Sequence, residues 1–168
     1  YFSVVRFGRR IHSDMLENFG KSHINSVEST ETLYNIAREI KNLCEPIPNI
    51  SDYRYPQHVW LDGICIMVAR EASEPKQGLF FAMKGGCNAE SHNHNDVGNF
   101  IVYSDGNPLI IDVGVGTYTA DTFNENRYKI WTMQSSFHNL PKIGVYEQLA
   151  GEEFFADEVV YESDADRI

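Results

Sequence analysis

Cysteine, basic residues and long apolar runs are all scarce in this chain of 168 residues. The three cysteines are irregularly spaced and form no CxxC pair, which argues against a disulfide framework. Lys and Arg number 14 against 24 Asp and Glu, and the net charge of −10 argues against a nucleic-acid partner, because nucleic-acid-binding surfaces are usually basic. No apolar run is long enough to predict membrane insertion or a signal peptide.

Apolar residues, by contrast, make up 42% of the chain, and aromatic residues make up 12%. This composition is typical of a folded domain, and the length is sufficient for one domain with a sizeable core. The chain starts at Tyr1 instead of a methionine, so we expect it to be a piece of a longer protein.

The first third of the chain is predicted to be helical. Apolar residues recur at steps of three and four between Ser29 and Cys44, which predicts an amphipathic helix. A shorter helix is expected over Ser13–Phe19, with Gly20 ending it. Residues 45–57 contain three prolines and no periodicity, so they read as a linker, and we place a domain boundary near residue 55.

Beyond this boundary the pattern is that of a β domain, with short runs rich in β-branched and aromatic residues. Strands are predicted at His58–Arg70, Leu79–Met83, Val97–Ser104 and Leu109–Val113, with further candidates at 145–146, 154–156 and 159–161. The Asp105-Gly106 pair between two of these runs predicts a tight hairpin turn. Helices precede the strands and do not alternate with them, so the predicted fold class is α+β.

The most unusual stretch is Lys84–Phe100, which places His92, His94, a glutamate and an aspartate between glycines. Imidazoles two positions apart share one face of an extended segment, and they can still reach one site from an irregular segment. Such a pair indicates metal binding, proton transfer or both. The plain alternative is a histidine-rich loop with solvated side chains.

Two later residues are possible partners for His94. Asp112 closes the apolar run PLIID, where a carboxylate is costly unless it is paired, and His138 follows in a turn-like stretch. The predicted hairpin would fold Asp112 back toward the histidine segment. Two imidazoles and a carboxylate form a ligand set that zinc accepts, with one tetrahedral position left for water or substrate. The irregular spacing makes this a weak signal by itself.

Three blocks in this order, KGGCNAESHNHNDVGNF, PLIIDVGVGTY and RYKIWTMQSSFHNLP, resemble the heparinase II/III-like family of polysaccharide lyases. The resemblance starts near Trp60 and is densest between Lys84 and Pro141. It implies an incomplete (α/α) toroid followed by an antiparallel β-sandwich domain. Residues 1–55 would then be the C-terminal helices of the toroid, and residues 56–168 the N-terminal part of the β-sandwich.

The resemblance also implies a reaction, the β-elimination of a uronic-acid-containing polysaccharide, and hence an acidic polysaccharide as the partner. His92 is similar to the family's active-site histidine, and Tyr118 to a tyrosine that faces the cleft, so both are expected to be catalytic. His94, Asp112 and His138 resemble the family's zinc ligands. The implied cofactor is one Zn²⁺, which organises the site more than it performs the elimination.

Four further residues of the histidine segment receive predicted roles. Asn88 and Glu90 are expected to bind substrate, with Asn88 suited to a substrate carboxylate. Glu90 and Asp96 are also expected to hydrogen-bond to the histidines. Cys87 stands where many relatives have a histidine, and we interpret it as a small buried residue.

Two other functions compete with the lyase. One is a non-catalytic carbohydrate-binding β-domain with a structural zinc, and the other is a zinc hydrolase in which metal-bound water attacks the substrate. Arg127 and Lys129 are interpreted as part of a solvated face. A periplasmic or secreted location follows from the resemblance alone.

Overall fold

A computed structural model describes residues 1–24 and 53–162 of the chain. The chain divides into two compact units, Tyr1–Arg54 and Tyr55–Ile168. The helix predicted over residues 29–44 lies outside the described residues. No helix in the described ranges is long and apolar enough to cross a membrane.

The first unit contains two short helices, α1 over Phe2–Arg10 and α2 over Asp14–Ser22. Ser13 caps α2, because its hydroxyl accepts a hydrogen bond from the Leu16 amide at 3.4 Å. The helix continues through Gly20, so the prediction that this glycine ends it was wrong. A Cβ at Gly20 would lie 2.6 Å from Val5 Cγ2, so the glycine instead allows the two helices to pack closely around the fully buried Val5.

The second unit is built on a five-stranded antiparallel sheet in which each strand pairs with the next one along the chain. The strands are β1 His58–Leu61, β2 Ile66–Arg70, β3 Leu79–Lys84, β4 Phe100–Ser104 and β5 Asn107–Ile110. This sheet confirms the predicted antiparallel β domain. The toroid and the sandwich arrangement remain predictions.

The run predicted as one strand, His58–Arg70, is in fact the hairpin formed by β1 and β2. Asp62–Ile64 form a 3₁₀ turn between the strands, and Cys65 follows with a left-handed φ of 48°. The Asp62-Gly63 pair is a turn signal that the continuous apolar pattern around it concealed.

The hairpin of β4 and β5 is confirmed, and its turn has the predicted residues. Asp105 and Gly106 both have positive φ, 50° and 78°, as a type I′ turn requires. The register then shifts, because Val102 pairs with Ile110 while Tyr103 pairs with Pro108. Leu109 is therefore the extra residue of a β-bulge.

Past β5 the described chain runs through loops and short 3₁₀ turns, at Ala120–Phe123, Arg127–Lys129, Trp131–Met133 and Ser135–Phe137. The strand candidates at 145–146, 154–156 and 159–161 do not form named strands in the described residues. Only isolated bridges form there, between Ile143 and Tyr146 and between Cys87 and Phe155. The latter bridge joins the late segment to the histidine segment at the end of β3.

Candidate functional site

The histidine segment, residues 85–99, is an irregular connection between β3 and β4, and buried side-chain amides hold it in place. Asn88 is 1% exposed and donates to Gln148 Oε1 at 3.1 Å and to the Leu149 carbonyl at 3.0 Å. Gln148 in turn accepts from the Val97 amide at 3.0 Å and donates to the Val97 carbonyl at 2.8 Å. The segment has no continuous strand pairing to satisfy its polar groups. Hydrogen bonds to residues far along the chain order it instead.

His92 and His94 lie in different environments although they are two residues apart. His92 is exposed and has a left-handed φ of 61°, which is uncommon for a residue with a side chain. His94 is 9% exposed. The segment is thus not extended at this point, and one histidine is available to solvent while the other packs inside.

His94 packs against His138, with ring centroids 5.1 Å apart. The His138 side chain is fully buried, and its Nδ1 lies 2.6 Å from Asp112 Oδ2. This hydrogen bond orients the imidazole and leaves its Nε2 buried without a hydrogen-bond partner. An unpaired buried nitrogen is costly, so the arrangement favours a site that holds a ligand at this atom.

Two asparagines join the three segments that carry these residues. Asn99 donates to Asp112 Oδ2 at 2.7 Å and accepts from the Asn139 amide at 3.1 Å. Asn139 donates to the carbonyls of Phe100 at 2.9 Å and Ile111 at 3.0 Å. The start of β4, the end of β5 and the His138 turn are therefore tied together beside the imidazoles.

The electrostatics of the site keep His94 neutral and Asp112 charged. Burial, followed by the neighbouring His138, lowers the pKa of His94 below its ordinary value. Burial alone would raise the pKa of Asp112. The hydrogen bonds from His138, the Gly114 amide and Asn99 outweigh burial and lower the pKa of Asp112. A neutral imidazole and an ionised carboxylate are the protonation states that a metal requires.

The four residues His94, Asp96, Asp112 and His138 are called the His–Asp cluster below. Within the described part of the chain, ligand atoms of His94, Asp96 and His138 lie within 4.8 Å of one another. Tetrahedral zinc needs ligand atoms about 3.3 Å apart, so the three side chains would draw closer together on binding it. The donor set and the unpaired His138 Nε2 fit a metal, and Asp96 and Asp112 are two possible carboxylate ligands.

The residues predicted to bind substrate, Asn88 and Glu90, and the predicted catalytic Tyr118 differ in exposure and in hydrogen-bond partners. The Asn88 amide is occupied, since its Oδ1 also accepts from the Asp96 amide at 3.3 Å. Glu90 accepts from the Cys87 amide at 3.1 Å and lies 3.8 Å from Lys84 Nζ. Tyr118 is 62% exposed and stacks on Phe123 with ring centroids 5.7 Å apart. Their proposed roles stay predictions.

Sequence reasoning gave Asp96 only a supporting role and Arg127 a solvated one. Asp96 forms a 2.7 Å ion pair with Lys84 and lies beside both buried imidazoles. Arg127 is half-buried and donates to backbone carbonyls on two other segments. The spacing of Asp96, two residues after His94, was a usable signal. Nothing in the local pattern around Arg127 distinguished it from a surface arginine.

Residues 69–141 match the family model of the heparinase II/III-like C-terminal domain, so this segment is similar to that domain. The match includes β3, β4, β5, the histidine segment and the whole His–Asp cluster. A search among curated proteins found no match for the chain.

Proposed function

We propose that this chain is part of a polysaccharide lyase that cleaves an acidic, uronic-acid-containing polysaccharide by β-elimination. The observation that carries the proposal is the heparinase II/III-like match over residues 69–141, because that segment contains all of the predicted histidines of the site. The separation of an exposed His92 from a buried His94 supports it, since one histidine is free for chemistry while the other can hold the site together.

The proposed reaction needs two proton transfers and one site for negative charge. A base removes the proton at C5 of the uronate, the C4–C5 double bond forms, and the bond from C4 to the glycosidic oxygen breaks. The departing oxygen takes the electron pair and then a proton from an acid. The uronate carboxylate must be neutralised or hydrogen-bonded to make C5 acidic enough.

His92 is the residue that we assign to proton transfer at the sugar. Its side chain is exposed, and an imidazole can accept a proton at one ring nitrogen and donate one from the other. Tyr118 is the second assignment, because it is exposed on the loop that follows Asp112 and a phenol hydroxyl can donate a proton in catalysis. Asn88 and Glu90 are proposed to shape the substrate side of the histidine segment.

The His–Asp cluster is proposed to hold one Zn²⁺ through His94 and His138 and a carboxylate. When bound, the zinc would link segments that lie far apart in the sequence. Asp112 orients His138 in either case, and Asp96 is the alternative carboxylate ligand. The elimination itself is assigned to the protein's own side chains. A periplasmic or secreted location is part of the same proposal.

A second function, a non-catalytic carbohydrate-binding β-domain, is favoured by one observation. Tyr118 and Phe123 are 62% and 68% exposed and stack with an interplanar angle of 15°, which forms an aromatic surface of the kind on which sugar rings can pack. Binding on this surface would not require His92.

The deciding experiment is a lyase assay of the full-length protein on a panel of uronic-acid polysaccharides, read as ultraviolet absorbance of the unsaturated product. Activity on one polymer that His92→Ala abolishes, with an unchanged circular dichroism spectrum, would support the lyase and identify its substrate class. Binding of a polymer without any unsaturated product, equally in wild type and His92→Ala, would replace the lyase with the binding domain. Cleavage that yields only saturated ends would indicate the zinc hydrolase instead.

A further inference from the structure

Arg127 connects two loops that the sheet does not connect. Its Nε and Nη2 donate to the Asn93 carbonyl at 3.2 and 2.8 Å, and its Nη1 donates to the Thr122 carbonyl at 2.7 Å. The guanidinium therefore acts as a two-sided fork: Nε and Nη2 bind the histidine segment, and Nη1 binds the 3₁₀ turn Ala120–Phe123. A rigid planar group is needed for this, because a single ammonium cannot hold the same geometry.

Asn93 lies where the side chains of the histidine segment change from exposed to buried. It stands between the exposed, left-handed His92 and the buried His94. Its side chain is held as well, because the Tyr128 hydroxyl donates to Asn93 Oδ1 at 2.7 Å. Arg127 and Tyr128 together hold the backbone carbonyl and the side chain of the residue that separates the two histidines.

The other end of the fork reaches the loop that carries Tyr118. The Thr122 hydroxyl accepts from the Thr119 amide at 2.9 Å, and Thr119 and Thr122 form a reciprocal cap at the start of the 3₁₀ turn. Thr119 directly follows Tyr118. A short chain of contacts thus leads from Asn93 through Arg127 and Thr122 to the residue next to Tyr118.

We propose that Arg127 is a positioning residue that holds His92 and Tyr118 in a fixed mutual arrangement, with Tyr128 securing the histidine side of the link. Arg127 contacts backbone carbonyls and acts through the two loops that they belong to. The inference rests on the proposed function for its catalytic consequence, whereas the structural link between the two loops does not depend on any activity.

The first test measures the link directly, by hydrogen exchange and mass spectrometry on the full-length protein. Arg127→Ala and Arg127→Lys are expected to speed exchange in peptides covering residues 90–96 and 117–123 together. Tyr128→Phe is expected to affect residues 90–96 alone. Lys129→Ala is the matched control, since this exposed lysine also carries one positive charge and its ammonium donates to the nearby Asn126 Oδ1 at 2.7 Å. It should change neither peptide.

The second test measures the consequence. In Arg127→Ala, kcat is expected to fall about 100-fold while KM stays within about threefold, because misplaced catalytic groups slow the chemistry more than they weaken binding. Arg127→Lys should recover part of this loss, and Lys129→Ala should match the wild type. If Arg127→Ala does not fold, Tyr128→Phe, which lacks one hydroxyl only, should still lower kcat with unchanged KM.

The two tests together distinguish the possible failures. Unchanged exchange in both peptides, or an unchanged kcat in a folded Arg127→Ala, would overturn the positioning role. Faster exchange in both peptides in a protein whose wild type cleaves no polymer would support the link and sink the proposed lyase. A rise in KM equal to the fall in kcat/KM would make Arg127 a substrate-binding residue, which also overturns the inference.

Discussion

The two halves of the site differ in how firmly the protein holds them. The buried half, His94, Asp112 and His138, is packed and hydrogen-bonded on several sides, and one ring nitrogen is left unpaired. The exposed half, His92 and Tyr118, projects toward solvent, and Tyr118 contacts only Phe123 among the described ring and hydrogen-bond partners. We therefore expect the first half to bind the proposed metal ion and the second to contact the proposed polysaccharide.

This contrast assigns metal binding and proton transfer to different residues, although the histidines of the site lie in one region. A metal site needs neutral, desolvated, pre-oriented ligands, and the buried half provides them. A residue that transfers protons to a polymer must be reachable from solvent, and only the exposed half is. Substitutions in the two halves should therefore have different effects.

The largest expected effect comes from His92→Ala, which should lower kcat by about 100-fold to 10,000-fold, the range that removal of a general acid or base produces. Zinc content and melting temperature should stay at the wild-type values, because His92 is exposed. His94→Ala should give the reverse pattern, with zinc lost by elemental analysis and the melting temperature lowered. Loss of zinc in both His92→Ala and His94→Ala would show that the exposed and buried halves are not functionally separate.

The next largest effect is expected on zinc affinity when Asp112 or Asp96, the two carboxylates of the His–Asp cluster, is replaced. Asp112→Asn should weaken zinc binding about 10- to 100-fold, because the amide no longer holds His138 as a carboxylate does. Asp96→Asn should have a similar effect only if Asp96 is itself a ligand. Titration with a competing chelator measures both affinities.

Asn99→Ala serves as the matched comparison for that pair, since it removes an amide contact to Asp112 and leaves all four members of the cluster in place. It should weaken zinc binding less than Asp112→Asn does. If Asp96→Asn binds zinc as the wild type does while Asp112→Asn does not, Asp96 belongs to the Lys84 ion pair and not to the metal site.

A smaller effect is expected from pH in the metal-free protein. The folded pKa of His94 lies below the ordinary 6.5 because of burial and then His138, so folding favours the neutral ring. That contribution to the free energy of unfolding is fully present above pH 6.5 and is lost as pH falls through the folded pKa. Urea unfolding with a chelator present, from about pH 7.5 down to about pH 5, should show decreasing stability.

The His94→Asn variant is the control for this pH series, because its amide does not titrate. Its stability should fall less steeply over the same pH interval. Equal slopes for the variant and the wild type would show that other groups dominate the acid sensitivity of this unit.

The smallest effect is expected from Tyr118→Phe, which keeps the ring stack on Phe123 and removes only the hydroxyl. Because Tyr118 is assigned to proton transfer, kcat should fall by about tenfold or more, and a kcat within about twofold of the wild type would show that Tyr118 only packs against the sugar. Tyr118→Ala, which removes the ring as well, should raise KM in that case.

The sequence predicted those parts of the fold that depend on local chemistry. The Asp105-Gly106 turn and the flanking strands follow from glycine conformations and β-branched patterning, which act over a few residues. The Asp62-Gly63 turn was missed, because apolar residues on both sides outweighed it. The helix limit at Gly20 was wrong because packing against Val5, a tertiary contact, favours a glycine inside the helix.

The site was predictable in its residue types but not in its arrangement. Paired histidines in a glycine-bounded segment indicated chemistry, and the hairpin indicated that Asp112 would return toward them. The contacts of Arg127 and Tyr128 with Asn93, which lies between the two histidines, join residues 34 and 35 positions apart. No local pattern encodes such contacts, so only the folded chain reveals them.

The bulge at Leu109 has a consequence beyond the shape of its hairpin. Side chains alternate between two sides along a strand, so the surplus residue reverses the side from which Ile110, the last residue of β5, projects. The number of residues between Gly106 and Ile110 therefore helps to set how the chain leaves the strand toward Asp112. Deleting Leu109 would reverse Ile110 and disturb that path without any substitution in the site.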